Sequence, residues 1–238
     1  LASSGLPQGD ELNILNEIKD KVPADVFTTP YTNPVGGEPQ KARDNLRKAL
    51  DLFKQAGYVL KGNQMVNAQT GKPFSIEILL GSPFVEKWVL PYAQNLKKIG
   101  INASVRTVDS SQYINRVRSF DYDMIWTVWA QSLNPGNEQI DFWGTASVNR
   151  QGSRNYAGIS DPGIDALINK VIFAKDVAEK DAIARALDRV LLAHHYVVPL
   201  FYTTSFHIAY WDKFEHLPEL PYYSIGFPDV WWSKSAGK

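Results

Sequence analysis

An α/β architecture, a mixed sheet with helices on its faces, is predicted by three features of this sequence. From Phe74 to Trp129 the hydrophobic pattern runs strand, helix, strand, helix, strand, the order that right-handed crossovers build on a sheet. Cap residues stand where each intervening helix should begin: Ser82 before Pro83, and Asp109. The last strand, Met124 to Trp129, is large, β-branched or aromatic throughout. Met124, Trp126 and Val128 point one way, and Ile125, Thr127 and Trp129 the other. Both faces are apolar, so this strand is expected at the centre of the sheet, covered on both sides.

Residues 1–40 read as a linker-like segment. Gly9 to Asp20 carries a short helical pattern in Leu12, Leu15 and Ile18. Pro23, Pro30, Pro34, Gly36, Gly37 and Pro39 then keep the backbone extended or turning. The α/β lobe is expected over 41–202. Lys41 to Ala56 is a helix, with Ala42, Leu46, Ala49, Leu50 and Phe53 on one stripe and Gly57 just past its end. Tyr58 to Leu60 and Met65 to Asn67 form a hairpin around Lys61-Gly62-Asn63. Phe74 to Leu80 is a strand. The helix opened by Ser82-Pro83 buries Val85, Trp88, Val89, Tyr92, Leu96 and Ile99, and Gly100 ends it. Ile101 to Val108 is the next strand. The helix capped by Asp109, Ser110 to Arg118, turns Tyr113, Ile114 and Val117 inward.

Beyond the central strand, Asn134-Pro135-Gly136 breaks any ladder. Gln139 to Trp143 is a helical turn, and Gly144 to Gly158 is loop. Asp161-Pro162 opens a helix to Phe173, and Asp176 opens another to His194. Tyr196 to Tyr202 and Phe206 to Tyr210 read as strands. Residues 203–238 form a C-terminal segment. Its stretch Leu217 to Trp232 holds two Tyr, one Phe and two Trp, too much apolar surface for a free tail.

Composition narrows the function. Lys+Arg and Asp+Glu balance at 25 each, so nothing biases the chain toward nucleic acid or anionic membrane. With 44% hydrophobic and 21% charged residues it has the make-up of a folded globular protein. There is no Cys, which removes disulfides, thiolate nucleophiles and Cys-type zinc sites. No run of apolar residues is long enough to span a bilayer. No Gly-rich phosphate loop, nucleophile elbow or zincin helix is present, so no metal or cofactor is expected.

Asp121 and Asp123 are the raw material of a carboxylate-dependent hydrolase, but they stand at the entry of a strand, and catalytic groups gather at strand exits. His194-His195 are neighbours about 100° apart on a helix and cannot jointly grip a metal; a cap at the helix end is the simpler role. What remains is aromatic. Trp126, Trp129, Trp143, Tyr156, Trp211, Trp231 and Trp232 are many for this length. With Asn, Gln and Ser nearby they suit a neutral or zwitterionic ligand held by stacking and hydrogen bonds, and core packing explains about half of them equally well. A third use of such surface is a protein-interaction module with the aromatic tail docked on a partner.

Five stretches carry a resemblance. They are Ala42-Arg43 to Leu52 with Ala56-Gly57-Tyr58; Leu96-Lys97-Lys98-Ile99-Gly100-Ile101 with Val105; and Tyr113, Asp121-Tyr122-Asp123 and Trp129 in series. Asn155-Tyr156 with Asp161-Pro162 and Asp165-Ala166-Leu167-Ile168, and then Val198-Pro199-Leu200, complete the set. In this order they resemble the type 5 family of extracellular solute-binding proteins, the receptors of peptide-type ABC importers. The runs Ser132 to Gln139 and Ser153 to Gly158 are most similar to its Yej-type members, associated with oligopeptide and microcin C uptake.

The resemblance implies a non-enzymatic receptor: the second lobe of a periplasmic binding protein, type II-like, with a C-terminal segment returning toward a first lobe. It implies a periplasmic location, a peptide-like small solute, and as partners the first lobe of the same protein and an inner-membrane ABC permease, with no nucleic acid. The first lobe of such proteins precedes this region, which fits a chain that starts at Leu1. The residues expected to meet the solute are Trp126, Trp129, Ser132, Asn134, Asn137, Glu138, Asn155 and Tyr156. One departure stands out. Family members place an Asp three residues after the Trp that matches Trp129, to hold the peptide's amino terminus, and here that position is Ser132. A neutral hydroxyl gives no charge-assisted pair. Either Glu138, the nearby carboxylate, substitutes, or the solute carries no ammonium at this point.

Overall fold

The computed structural model describes residues 2–132, 134–202, 205–222 and 224–234. It divides into two compact units, Leu1–Val197 and Val198–Lys238.

The first unit opens with helix α1, Gly9–Asn16, and two short 3-10 turns, Lys19–Lys21 and Ala24–Phe27. Helix α2, Pro39–Gln55, starts on a proline and leads into the hairpin β1, Tyr58–Lys61, and β2, Gln64–Asn67. Next come β3, Ser75–Leu80, α3, Glu86–Lys98, β4, Asn102–Thr107, α4, Ser110–Arg118, and β5, Met124–Ile125. Helices α5, Glu138–Trp143, α6, Pro162–Ile172, and α7, Val177–Ala193, complete the unit.

The helix starts follow from local chemistry. The hydroxyl of Ser82 accepts from the Phe84 N–H at 3.3 Å. Asp109 accepts from Gln112 N–H at 2.9 Å, and Asp176 from Glu179 N–H at 2.9 Å. The Asp161 carboxylate takes the N–H groups of Gly163 and Ile164 at 2.8 and 2.9 Å. Each satisfies a donor that the first turn of a helix leaves without a partner.

Strands β4, β3 and β5 form a parallel sheet in that order, so β3 is the central strand. Beside it the antiparallel hairpin β1–β2 is joined by a bridge from Val66 to Pro73. The expectation of a long central strand at 124–129 is corrected here. β5 has two ladder pairs, Ile78 with Met124 and Leu79 with Ile125, and lies at the edge. The ladder stops because the Trp126 carbonyl accepts instead from the Tyr113 hydroxyl at 2.6 Å. A side chain has replaced the neighbouring strand as partner.

Two apolar cores are built within the unit. Met65, Ile78, Leu80, Val85, Val89, Ala93, Ile99, Ile101 and Ala103 are buried together, with α2 residues Leu46, Ala49, Leu50 and Phe53 packed against them. The other core joins Ile164, Leu167, Ile168 and Val171 of α6 to Ala182, Ile183, Ala186, Leu187 and Val190 of α7. Residues ahead of Pro39, expected as linker-like, contribute Ile14, Leu15, Ile18 and Val26 to this second core. Their apolar residues are few, but α7 covers them. A buried ion pair, Arg189 to Glu11 at 2.7 Å, ties the same segment down, and Arg189 also donates to the Gly5 carbonyl at 2.7 Å. Gly163 is required at the crossing, since a Cβ there would run into the Lys21 carbonyl.

The second unit holds an antiparallel pair, β6, Phe214–His216, and β7, Trp231–Ser233. Its Trp231 indole donates to the Ile225 carbonyl at 2.7 Å and its ring lies 4.8 Å from Tyr210. No strand forms over 196–202 or 206–210, where the backbone has no partner strand among the described residues. Tyr202, Trp211 and Tyr222 stay exposed.

Candidate functional site

Parallel strands direct all their C-terminal ends to one side, and ligands of open α/β sheets gather outside those ends. The segment leaving β5 therefore stands where binding chemistry is expected. It has no regular structure from Trp126 to Ser132, bends at Asn134 and reaches α5 through Pro135 and Gly136.

An aromatic group assembles there. The Trp129 ring centroid lies 4.9 Å from Trp143 and 5.5 Å from Tyr156, both tilted, and all three rings are half-buried. The Trp129 indole N–H donates to the Arg154 carbonyl at 3.0 Å. Trp143 donates to the Gln139 side-chain oxygen at 3.0 Å. The Gln139 amide nitrogen in turn reaches Gln131 at 2.8 Å and Glu138 at 3.1 Å. One buried glutamine thus links an aromatic wall to a carboxylate.

Glu138 is the charged group of this arrangement. Burial pushes its carboxyl up, but hydrogen bonds from the backbone N–H groups of Gly136 and Glu138 itself, then Gln139 and Ser132, outweigh it. The net effect holds Glu138 below the usual glutamate value, so it is ionised at neutral pH. The Ser132 hydroxyl also donates to the Asn134 carbonyl at 2.8 Å, and that bond competes for its single proton. Behind the group, Tyr113 and Tyr122 are both pushed up to about 12, mainly by burial, and stay neutral. Tyr122 donates to the Tyr156 carbonyl at 2.8 Å and so fixes the loop that carries Tyr156.

The expected solute-contacting residues divide by position. Trp129, Ser132, Glu138 and Tyr156 come together around the β5 exit. Asn137 sits exposed at the N-cap position of α5 with no capping bond from its side chain. Asn134 is exposed in the turn, and its side-chain oxygen accepts from Lys180 of α7 at 2.9 Å, which pins the turn. Leu133, beside it, lies outside the described residues. Trp126 packs against the sheet core and offers its carbonyl to Tyr113, so it belongs to the frame. Asn155 is fully buried. It donates to the Gly144 and Ile159 carbonyls at 3.1 and 2.8 Å and accepts from Ile159 N–H at 2.7 Å. Both of its N–H groups are used internally, so it shapes the 144–159 loop and is not presented to a ligand. Gln139 was missed, since a polar residue inside a short helix gives no sign in sequence that it is buried.

The hydrolase alternative loses its residues to structure. Asp121 is ion-paired to Arg116 at 2.8 Å, and Asp123 accepts from the Glu77 backbone N–H at 2.8 Å, where it terminates the strand pairing. His194 stands at the C-cap of α7, stacked on Tyr196 with centroids 5.1 Å apart. Among the described residues no group of His, Asp and Glu could hold a metal, and no helix is long and apolar enough to cross a membrane.

Comparison with known proteins adds to this geometry. The family described as bacterial extracellular solute-binding proteins, family 5 Middle, matches residues 13–151. Protein y4wM of Sinorhizobium fredii is 67% identical over 236 residues, 99% of this chain and 36% of that protein. The probable peptide-binding protein YejA of Agrobacterium fabrum is 60% identical over 237 residues, 100% of this chain and 39% of that protein. The chain therefore spans well under half the length of these relatives. Among solved structures, the oligopeptide-binding protein AppA of Bacillus subtilis, in complex with a nonapeptide, superposes with a TM-score of 0.57 at 18% identity. That match covers 79% of this chain and 38% of AppA, and it establishes a shared fold.

Proposed function

The chain belongs to family 5 of the bacterial extracellular solute-binding proteins, and on that premise we propose that it supplies one lobe of a periplasmic receptor for oligopeptides or peptide-like solutes. The first lobe of the same protein closes on this one by a hinge motion, and the loaded receptor hands its solute to an inner-membrane ABC permease. The lobe binds and performs no chemistry.

The observation that supports this most is the half-buried group Trp129, Trp143 and Tyr156 at the C-terminal exit of β5, with an ionised Glu138 linked to it through Gln139. Aromatic faces beside a few fixed polar groups suit the alternating apolar and amide surface of a peptide. The names of the relatives point the same way: YejA of Agrobacterium fabrum is a probable peptide-binding protein, and AppA holds a nonapeptide.

Titration calorimetry of the full-length protein with a set of short peptides tests the reading. Saturable binding, accompanied by a change in tryptophan fluorescence that Trp129→Ala abolishes, is the expected result. Peptide binding that ignores Trp129 would move the site elsewhere, and no binding of any peptide would refute the solute class.

A further inference from the structure

A cleft adjoins the aromatic group at Tyr156. It lies between α4 and the 152–156 loop, has a volume of about 280 Å³, and is lined by Tyr113, Ile114, Val117 and Arg118 of α4 and by Arg154 and Tyr156 of the loop. Tyr156 belongs both to this cleft and to the Trp129 group, 5.5 Å from Trp129. Arg154 has the same double role: its carbonyl accepts from the Trp129 indole and the residue lines the cleft. The two features are therefore continuous.

The charges in the cleft are one-sided. Two arginines line it and no acidic residue does. Arg154 is partly compensated, 3.5 Å from Asp141 and with its guanidinium 4.3 Å over the Phe142 ring. Arg118 forms no ion pair among the described residues, and the stem of this exposed side chain runs beside Gly152 at the cleft. The Tyr156 hydroxyl likewise has no hydrogen-bond partner among the described residues, while the Tyr113 hydroxyl is spent on the Trp126 carbonyl. The walls between these donors are aromatic and aliphatic.

From this the geometry points to a subsite for a carboxylate carried by the solute, held by Arg118 with the Tyr156 hydroxyl, its apolar body against Tyr113, Ile114 and Val117. The inference rests on the proposed solute-binding reading and specifies the chemistry of one end of the solute. Guanidinium matches a carboxylate in two parallel hydrogen bonds, which is why arginine rather than lysine suits the position. The carboxylate has two possible sources in a peptide, the C-terminus and an acidic side chain.

Calorimetry on the full-length protein separates them. The probes are short alanine- and phenylalanine-containing peptides as matched pairs, free acid against C-terminal amide, and glutamate against glutamine at one internal position. Arg118 is exposed on α4, so Arg118→Gln should leave the fold intact, which thermal melting checks. The expected result is that Arg118→Gln weakens binding of carboxylate-bearing members about tenfold and leaves their neutral partners unchanged. The pair that responds identifies the source, and Arg118→Lys should keep part of the discrimination. An equal loss for charged and neutral peptides, or no loss, overturns the subsite. If wild type binds peptides in a Trp129-dependent way yet ignores Arg118, only the subsite fails. If wild type binds no peptide, the receptor reading fails and the subsite with it.

Discussion

The indole N–H of Trp129 donates to the backbone carbonyl of Arg154 at 3.0 Å, joining the exit of the edge strand to a loop 25 residues further along the chain. That bond fixes which way the ring faces and sets it against Trp143 and Tyr156. Trp129→Phe keeps a ring and deletes the donor, and should cost about 1 kcal/mol of stability with most affinity retained. Trp129→Ala should weaken peptide binding in the full-length protein by roughly 1 to 3 kcal/mol. Trp88 is the control. It packs half-buried on the sheet core, so Trp88→Ala should lower stability by about 2 kcal/mol, below the figure for a fully buried Trp, and spare affinity. Urea melts and calorimetry on the same samples separate the two effects.

Ser132→Asp tests whether this position can recover an ammonium anchor. The serine hydroxyl is a donor, to the Asn134 carbonyl at 2.8 Å and toward Glu138. An aspartate cannot donate, and it sets a second carboxylate beside an ionised one. The expected outcome is weaker binding of free and amino-acetylated peptides alike, with the Glu138 carboxyl raised. A gain confined to peptides with free amino termini would show that the position does read an ammonium.

Glu138 gives the fold a pH dependence of definite sign. Its carboxyl is held below the ordinary value of 4.5 in the folded chain. The ionised form is therefore favoured by folding, and the contribution is fully present above the pKa of an unfolded glutamate. It is lost as pH falls through the folded value. Wild type should accordingly lose more stability than Glu138→Gln on acidification from pH 6 to below about 4.5. Melting temperatures of both proteins across that range check it, and parallel curves would remove Glu138 as the cause.

Asn155 should behave as a structural residue. Asn155→Ala strips partners from the Gly144 and Ile159 carbonyls and the Ile159 N–H inside a buried loop. The loss should be about 3 kcal/mol, since each group left buried without a partner costs on the order of 1 kcal/mol or more. Affinity measured per folded molecule should barely change. A large loss of affinity with stability intact would return Asn155 to the ligand surface.

Much of the fold was legible because its signals are local. Ser82, Asp109, Asp161 and Asp176 each cap a donor two or three residues away, so a short window of sequence contains the whole interaction. The stripe on α2 and the strand at Ser75–Leu80 are likewise set by neighbours at fixed spacing. The edge position of β5 was not legible. Apolar residues on both faces predict cover on both sides, yet 124–127 and Trp129 are only half-buried and Val128 is 65% exposed, and residue type does not say whether another strand or a Tyr113 hydroxyl takes a carbonyl. The anchoring of residues before Pro39 was hidden for a similar reason: Glu11 finds Arg189 only after α7 has folded back across α1.

By itself the sequence determined the helix starts, the alternation of strands and helices, the neutral charge balance, and the membership that its ordered motifs carry. It also placed Trp129, Ser132, Glu138 and Tyr156 among the residues to watch. Only the tertiary structure decided that Trp126 and Asn155 face inward, that Gln139 joins Trp143 to Glu138, and that Arg118 and Tyr156 line one cleft. Caps and stripes depend on contacts within a few residues, whereas burial and pairing depend on partners tens of residues apart. Sequence spacing fixes the first kind of contact, and the packed fold alone fixes the second.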